Sequence, residues 1–304
     1  MFLNFPITNF NGELAALGAA FLWALSAVIY AHLGQKIPPL ALNLSKGVIA
    51  IALIALTLLV QGNYWPTDMN LVALGYLLLS GAVGIGLGDT FYFEALNHLG
   101  ARRTLLLEAL APPLSALIAL LFLGEALTLG AWMGIFLTVL GVSWVISERV
   151  PGTPVNTENS LRGVGFALVS ALAQANGAVL SRAALADTNI SPLWSTLLRL
   201  IACVVVLLLW IPFKQESQVA FKPLQSKQLL GIIIITALFS TYLGIMLQQT
   251  ALKYTATGIA QALLSTSPLF VLPIAIAMGE IVSPRAFLGV LVALGGIGLL
   301  FGYQ

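Results

Sequence analysis

Four ionisable side chains, Lys46, Asp89, Glu108 and Arg199, stand deep inside long apolar stretches of this sequence. A charge in such surroundings costs on the order of 2.5–3.5 kcal/mol on insertion scales, so each is a candidate functional group. Lys46, Asp89 and Glu108 lie about four or five residues from the middles of three successive stretches. Because those stretches alternate in direction, at roughly 1.5 Å rise per residue all three fall in one shallow layer. Pairing Lys46 with one carboxylate leaves the other without a cation. Burial disfavours the charged form of such an acid, which is the chemistry of a proton carrier. The alternative is a fixed bridge that sets helix register, with the second acid reaching the interface. In the opposite layer Arg199 is joined by Gln248, Gln249 and Gln261. That set offers a cation and amides but no carboxylate, and suits the carboxylate of a bound solute. Trp23, Gln174 and Asn176 lie near the middle of their stretches, with Tyr92 and Tyr242 as further amphipathic groups. The candidates for proton coupling are therefore Asp89, Glu108 and Lys46. Those for solute contact are Trp23, Gln174, Asn176, Arg199, Tyr242, Gln248 and Gln261, although amides at such depth also glue helices together. Trp194 opens its stretch and reads as an interfacial anchor.

Other chemistries lack their residues. Gly86-Leu87-Gly88-Asp89 matches the GxGD signature of intramembrane aspartyl proteases, but that reaction needs two Asp carboxylates sharing a proton. Asp68 and Asp187 fall in connections, and the other deep acids are Glu. The same glycines lack the strand that a nucleotide-binding loop follows. His32 and His98 stand at stretch ends, and Cys203 is the only cysteine, so an internal disulfide or multi-cysteine metal site is excluded. No enzyme activity and no cofactor are expected.

The elements that position these groups are transmembrane helices. Of 304 residues 59% are hydrophobic and only 8% charged, against roughly a quarter charged in soluble domains. Lipid must cover most of the exterior. Spanning runs extend over Leu14–Leu33, Leu40–Val60, Leu71–Leu96, Thr104–Leu123 and Leu129–Ser147. Five more extend over Val164–Leu185, Leu193–Phe213, Leu229–Leu252, Ile259–Met278 and Ala286–Tyr303. Each must be helical, because backbone groups in hydrocarbon pair within their own segment. The first eleven residues carry no Lys or Arg, so the first run reads as a retained helix rather than a signal peptide. A net charge of +2 gives no reason to expect nucleic acid.

The two halves are copies. Pro113, Gly124-Glu125, Gly134 and Gly141 recur as Pro268, Gly279-Glu280, Gly289 and Gly296, all at an offset of 155. Pro39 and Lys46 match Pro192 and Arg199 at 153, and Ala95-Leu96 match Ala251-Leu252 at 156. The boundaries read as a first five-helix repeat at 12–147, a polar linker at 148–160 and a second repeat at 161–303. With an odd number of spans per copy, the second must sit inverted, the plan of many secondary transporters. Glu125 and Glu280 each close a span after a Gly and are expected to shape the hairpin that follows. Gly84, Gly88, Gly295 and Gly298 are expected to permit close helix contact.

On Trp23, the basic residue following a Pro at the start of the second helix of each half, and the repeated Pro and Gly-Glu motifs, the chain resembles the EamA family of the drug/metabolite transporter superfamily. The resemblance covers nearly the whole chain. It implies a ten-helix secondary transporter of the multi-pass plasma-membrane kind, exporting a small metabolite such as an amino acid through a cavity between the halves. Protons are a potential coupling partner, and a passive channel or facilitator shares the fold. The connections, counted from the amino terminus, also carry a topological signal. Lys36, Arg102, Arg103, Arg149, Arg162, Lys214, Lys222, Lys227 and Arg285 fall in or beside odd-numbered ones; only Arg182, close to the end of its run, and Lys253 count towards even ones. That bias favours odd connections in the cytoplasm and both termini outside, whereas the resemblance implies both termini inside. A reporter fused after Gln304 decides between them. The two faces are called the odd and even sides below.

Overall fold

The computed structural model describes residues 10–33, 37–62, 65–66, 69–147, 160–211, 226–277 and 283–302. Glu280, the linker at 148–159, and Lys36, Arg149, Lys214 and Lys222 lie outside them. So do the side chains of Arg102 and Arg103.

The described chain is helical. The first repeat comprises α1 (Asn11–Leu33), α2 (Pro39–Val60), α3 (Leu71–Ser80), α4 (Gly88–Glu108), α5 (Ala111–Leu123) and α6 (Leu129–Ser147). The second comprises α7 (Ser160–Leu185), α8 (Pro192–Trp210), α9 (Lys227–Thr236), α10 (Gly244–Tyr254), α11 (Thr257–Leu264), α12 (Ser267–Ala277) and α13 (Pro284–Gly302). Local chemistry sets several ends. Asn70, Ser191 and Ser226 cap α3, α8 and α9 by accepting from Ala73, Trp194 and Leu229 amides. Proline opens α2 and α8, where its missing N–H is not required. Gly124 ends α5 at φ +68, a conformation that suits glycine.

Among the described residues eight segments are long and apolar enough to cross a membrane. The remaining two spans are α1 and the ninth, which is broken at Ser265-Thr266 between α11 and α12. The fourth span breaks at the equivalent Ala109-Leu110, just after Glu108. One expected boundary differs. Helical backbone continues from Gly88 to Glu108 instead of ending near Leu96. Yet Glu108 lines the same cavity as Asp89 and Tyr92, although a straight helix would place it about 28 Å from Asp89. The chain therefore reverses while keeping helical turns.

Two features were not read from the sequence. The third span joins α3 to α4 through a π-helical stretch, Gly81–Leu87, and the eighth joins α9 to α10 through another, Ala237–Leu243. They are equivalent in the two repeats, again offset by 156. Each widens the helix and shifts the phase of the residues that follow.

The matched glycines meet one another across the repeat boundary. On α6 and α13, Gly141 packs on Gly289 backbone and Gly134 on Gly296 backbone, so that α6 and α13 lie in close contact. A side chain at Gly141 would collide with backbone of Ala293 and Gly289. Gly141→Val is accordingly expected to destabilise the protein by about 1–3 kcal/mol, read as a lower unfolding temperature in detergent. Gly84 packs on Gly177 of α7. Gly295 and Gly298, expected to do likewise, have nothing within contact distance of an added Cβ. They lie on the opposite face of α13 from the Gly289–Gly296 seam.

Candidate functional site

Between the halves lies a cavity of about 720 Å³. Its mouth is on the odd side, where Leu96, exposed Asn97 and Leu105 line it, and among the described residues none of the even connections reaches it. α1 supplies one wall through Trp23, Ser26 and Tyr30, which share a face at i, i+3 and i+7. The Trp23 indole donates to Ser240 O at 3.0 Å and packs on Gly244. The Tyr30 hydroxyl lies 2.6 Å from Ser240 Oγ.

The acidic layer assembles on the cavity wall. Lys46 Nζ is 2.9 Å from Asp89 Oδ2, and Gln174 Nε2 donates to Asp89 Oδ1 at 3.1 Å. Lys46 is 8% exposed and stacks over the rings of Phe93 and Tyr30, at 5.4 and 5.8 Å from their centroids. Both charges of this pair are thus answered, one by a carboxylate and π faces, the other by a cation and an amide. Glu108 also lines the cavity, and its buried Oε1 makes no hydrogen bond; nearby, Ser170 donates to Gly88 O at 3.0 Å. Asp89 is thus the bridging acid, and Glu108 has no cation partner among the described residues. The GxGD aspartate is salt-bridged to lysine, and its acidic neighbour is a glutamate.

The amide layer closes the deep end. Arg199, 2% exposed, sits where Gly81 backs directly onto its main chain and Gly84 onto its guanidinium. It donates from Nη1 to Gln248 Oε1 at 3.3 Å, while Nε makes no hydrogen bond. Gln261, also on the cavity wall, has a buried Nε2 without a hydrogen bond. Gln249 turns away and accepts from Ser195 at 2.7 Å. Buried donors and acceptors lacking partners are rare in folded proteins. Of the buried atoms without a hydrogen bond among the described residues, Arg199 Nε, Gln261 Nε2 and Glu108 Oε1 belong to residues around one chamber, whereas those of Asn43, Thr138, Gln249 and Thr257 lie off its wall.

Two expected solute contacts lie elsewhere. Tyr242 is not on the cavity wall: its hydroxyl is 3.1 Å from Thr57 of α2, and its ring packs in the cluster around Leu200 and Leu207. The π stretch turns Ser240 and Thr241 to the cavity in its place. Asn176 is also off the wall, its amide donating to Leu172 O at 2.8 Å within its own helix. Gln174 lines the cavity, but its amide is engaged in holding Asp89. Trp194 packs edge-on against Trp65 at 5.3 Å, near the even end of α8. Tyr30, Phe93, Ser240 and Thr241 were missed. Tyr30 was detectable, seven residues after Trp23 on the same helical face; the phase shift hid the residues of the eighth span.

The model of the EamA-like transporter family matches residues 10–147 and again 161–302. No curated protein matches. Among solved structures, a crystal structure described only as that of a protein aligns over 97% of this chain and 99% of its own, with a TM-score of 0.79 and 16% identity. At that identity the likeness is one of fold. With five-helix units matched twice over nearly its whole length, this integral multi-pass membrane chain belongs to the EamA-like transporter family of the drug/metabolite transporter superfamily.

Proposed function

We propose that the protein is a secondary transporter which exports a small zwitterionic metabolite, such as an amino acid, from the plasma membrane's inner face in exchange for protons. The single observation that carries this is the set of unpartnered groups around one chamber. Arg199 Nε and Gln261 Nε2 are donors and Glu108 Oε1 is an acceptor. A carboxylate satisfies the first two and an ammonium the third. The remainder of the wall is mostly apolar and aromatic, which suits a small organic body. With Lys46 and Asp89 neutralising each other, Arg199 and Glu108 are the charges left for ligands. Glu108 is neutralised in turn by solute ammonium or by a proton. Mutually exclusive occupancy of one acid makes the two fluxes opposite and coupled, provided that the chamber faces one side at a time. The repeats 12–147 and 161–303 supply the two bodies that move against each other.

Counterflow in proteoliposomes tests the solute class. Vesicles loaded with an unlabelled zwitterion are expected to take up its labelled form. The corresponding amides, which lack the carboxylate, and deaminated acids, which lack the ammonium, are expected to exchange at least about tenfold more slowly, because each leaves a buried partner unmet. Equal exchange of all three classes contradicts the assignment.

A further inference from the structure

The cavity ends at Gln248, Gln261 and Arg199, and what lies beyond them towards the even side is a polar cluster that the solute chemistry does not use. It is centred on Arg182, in the last turn of α7, and Glu125, just past the end of α5. Arg182 Nε donates to Glu125 Oε1 at 2.6 Å, and the two side chains are 19% and 15% exposed. Arg182 Nη1 donates to the carbonyls of Leu252 and Lys253, at 3.0 and 2.6 Å, in the last turn of α10. Glu125 Oε2 accepts from the amide of Thr257, the first residue of α11, at 2.8 Å. One ion pair thus satisfies carbonyls at the end of the eighth span with a cation and an amide at the start of the ninth with an anion. Those are the charges that each helix end favours. The turn between them is held at a third point, where Thr255 Oγ1 donates to Glu13 Oε1 of α1 at 2.7 Å, and that carboxylate is buried at 2% exposure. Lys253 Nζ donates to Ile190 O at 2.9 Å.

We infer that Arg182 and Glu125 are positioning residues of the transport cycle, forming a clasp that closes the even side while the cavity is open to the odd side. The clasp ties the first and fourth spans of one repeat to the sixth, eighth and ninth spans of the other. Opening the even side must draw the eighth-to-ninth turn away from α1 and the fourth span. That exposes two carbonyls, an amide and three charged groups at once, which is tolerable only when water replaces their partners. Breaking the clasp in advance removes that barrier and shifts the population towards the even-open form. The inference rests on the alternating chamber proposed above.

The test uses the full chain with Cys203→Ala and one of two reporter cysteines. Ala260→Cys lies one turn inward of Thr257 at 0% exposure, and Asn97→Cys is exposed at the odd mouth. Both are labelled with a charged maleimide in lipid nanodiscs. Arg182→Gln and Glu125→Gln are each expected to raise the rate at Ala260→Cys and lower it at Asn97→Cys, by about tenfold, the worth of one charge-assisted hydrogen bond. The double variant should go no further than either single one, because the pair acts as a unit. Unchanged rates overturn the clasp, and so does a rise at both sites, which is what a merely loosened fold gives. If either variant fails to fold, Thr255→Val, which removes only the hydroxyl held by Glu13, is put to the same reciprocal criterion. A failure of the alternating chamber itself looks different: a transported zwitterion then changes neither rate in the protein with its clasp intact.

Discussion

Glu108→Gln is expected to abolish the response of transport to a pH gradient while leaving solute exchange measurable, with affinity weakened at most about tenfold. The substitution keeps size and polarity but removes the acid that proton and ammonium share. Counterflow, which needs no proton, should proceed and become independent of pH between 5 and 9 by this account. Asp89→Asn should behave differently. Asp89 is the sole described carboxylate paired with Lys46, which is 8% exposed. Its loss leaves a buried cation uncompensated at a cost of roughly 3–5 kcal/mol. Poor folding and a sharply lowered unfolding temperature are expected there, instead of selective loss of coupling. The two variants therefore separate a structural bridge from a coupling acid, two roles that sequence spacing left undivided between Asp89 and Glu108. Selective loss of pH dependence in Asp89→Asn with Glu108→Gln unaffected would reverse the assignment.

Arg199→Gln is expected to weaken zwitterion binding by roughly 10- to 100-fold, the value of a hydrogen bond to a charged group, while the protein stays folded. Among the described residues the guanidinium has no carboxylate pair, so removing it leaves no orphaned countercharge. Arg199→Lys should recover only part of the affinity, because a single ammonium does not present the guanidinium's fork. Binding is best read by isothermal calorimetry or by solute-induced thermal stabilisation. If Arg199→Gln binds as tightly as the unmodified protein, the solute carboxylate is held elsewhere.

Much of this architecture was legible because lipid imposes strict rules on sequence. The lengths of the apolar runs, the repeated prolines and glycines and the odd span count were sufficient for ten helices in two inverted halves. The deep charges were legible for the same reason: Lys46, Asp89, Glu108 and Arg199 all reached the cavity because a charge at that depth must find a partner or a polar chamber. What spacing could not give was the partner. Asp89 and Glu108 lie at similar depth, and choosing between them depends on helix rotation, which is set by packing. Two candidates lie off the cavity wall for separate reasons. Tyr242 was chosen as an amphipathic group at suitable depth, and depth does not fix which way a side chain faces; on the π stretch Ala237–Leu243 it meets Thr57. Asn176 returned its amide to its own helix, which no periodicity foretells. The even-side clasp was half visible. Glu125 was read as a hairpin residue and Arg182 as a loop charge, but their contact joins parts of the chain 57 residues apart. Glu13, at a helix start where acids are commonplace, gave no sign that it would be buried.

The central claim, a proton-coupled exchanger built around one alternating chamber, is most directly tested by concentrative transport. Proteoliposomes containing only the purified chain are given an acidic exterior, and a labelled zwitterion is supplied inside at a concentration equal to that outside. Net solute efflux against the gradient it creates is expected, with collapse of that efflux on adding a protonophore and its absence in Glu108→Gln. Equilibration to equal concentrations on both sides, unaffected by the pH gradient, would contradict coupling and identify a passive facilitator.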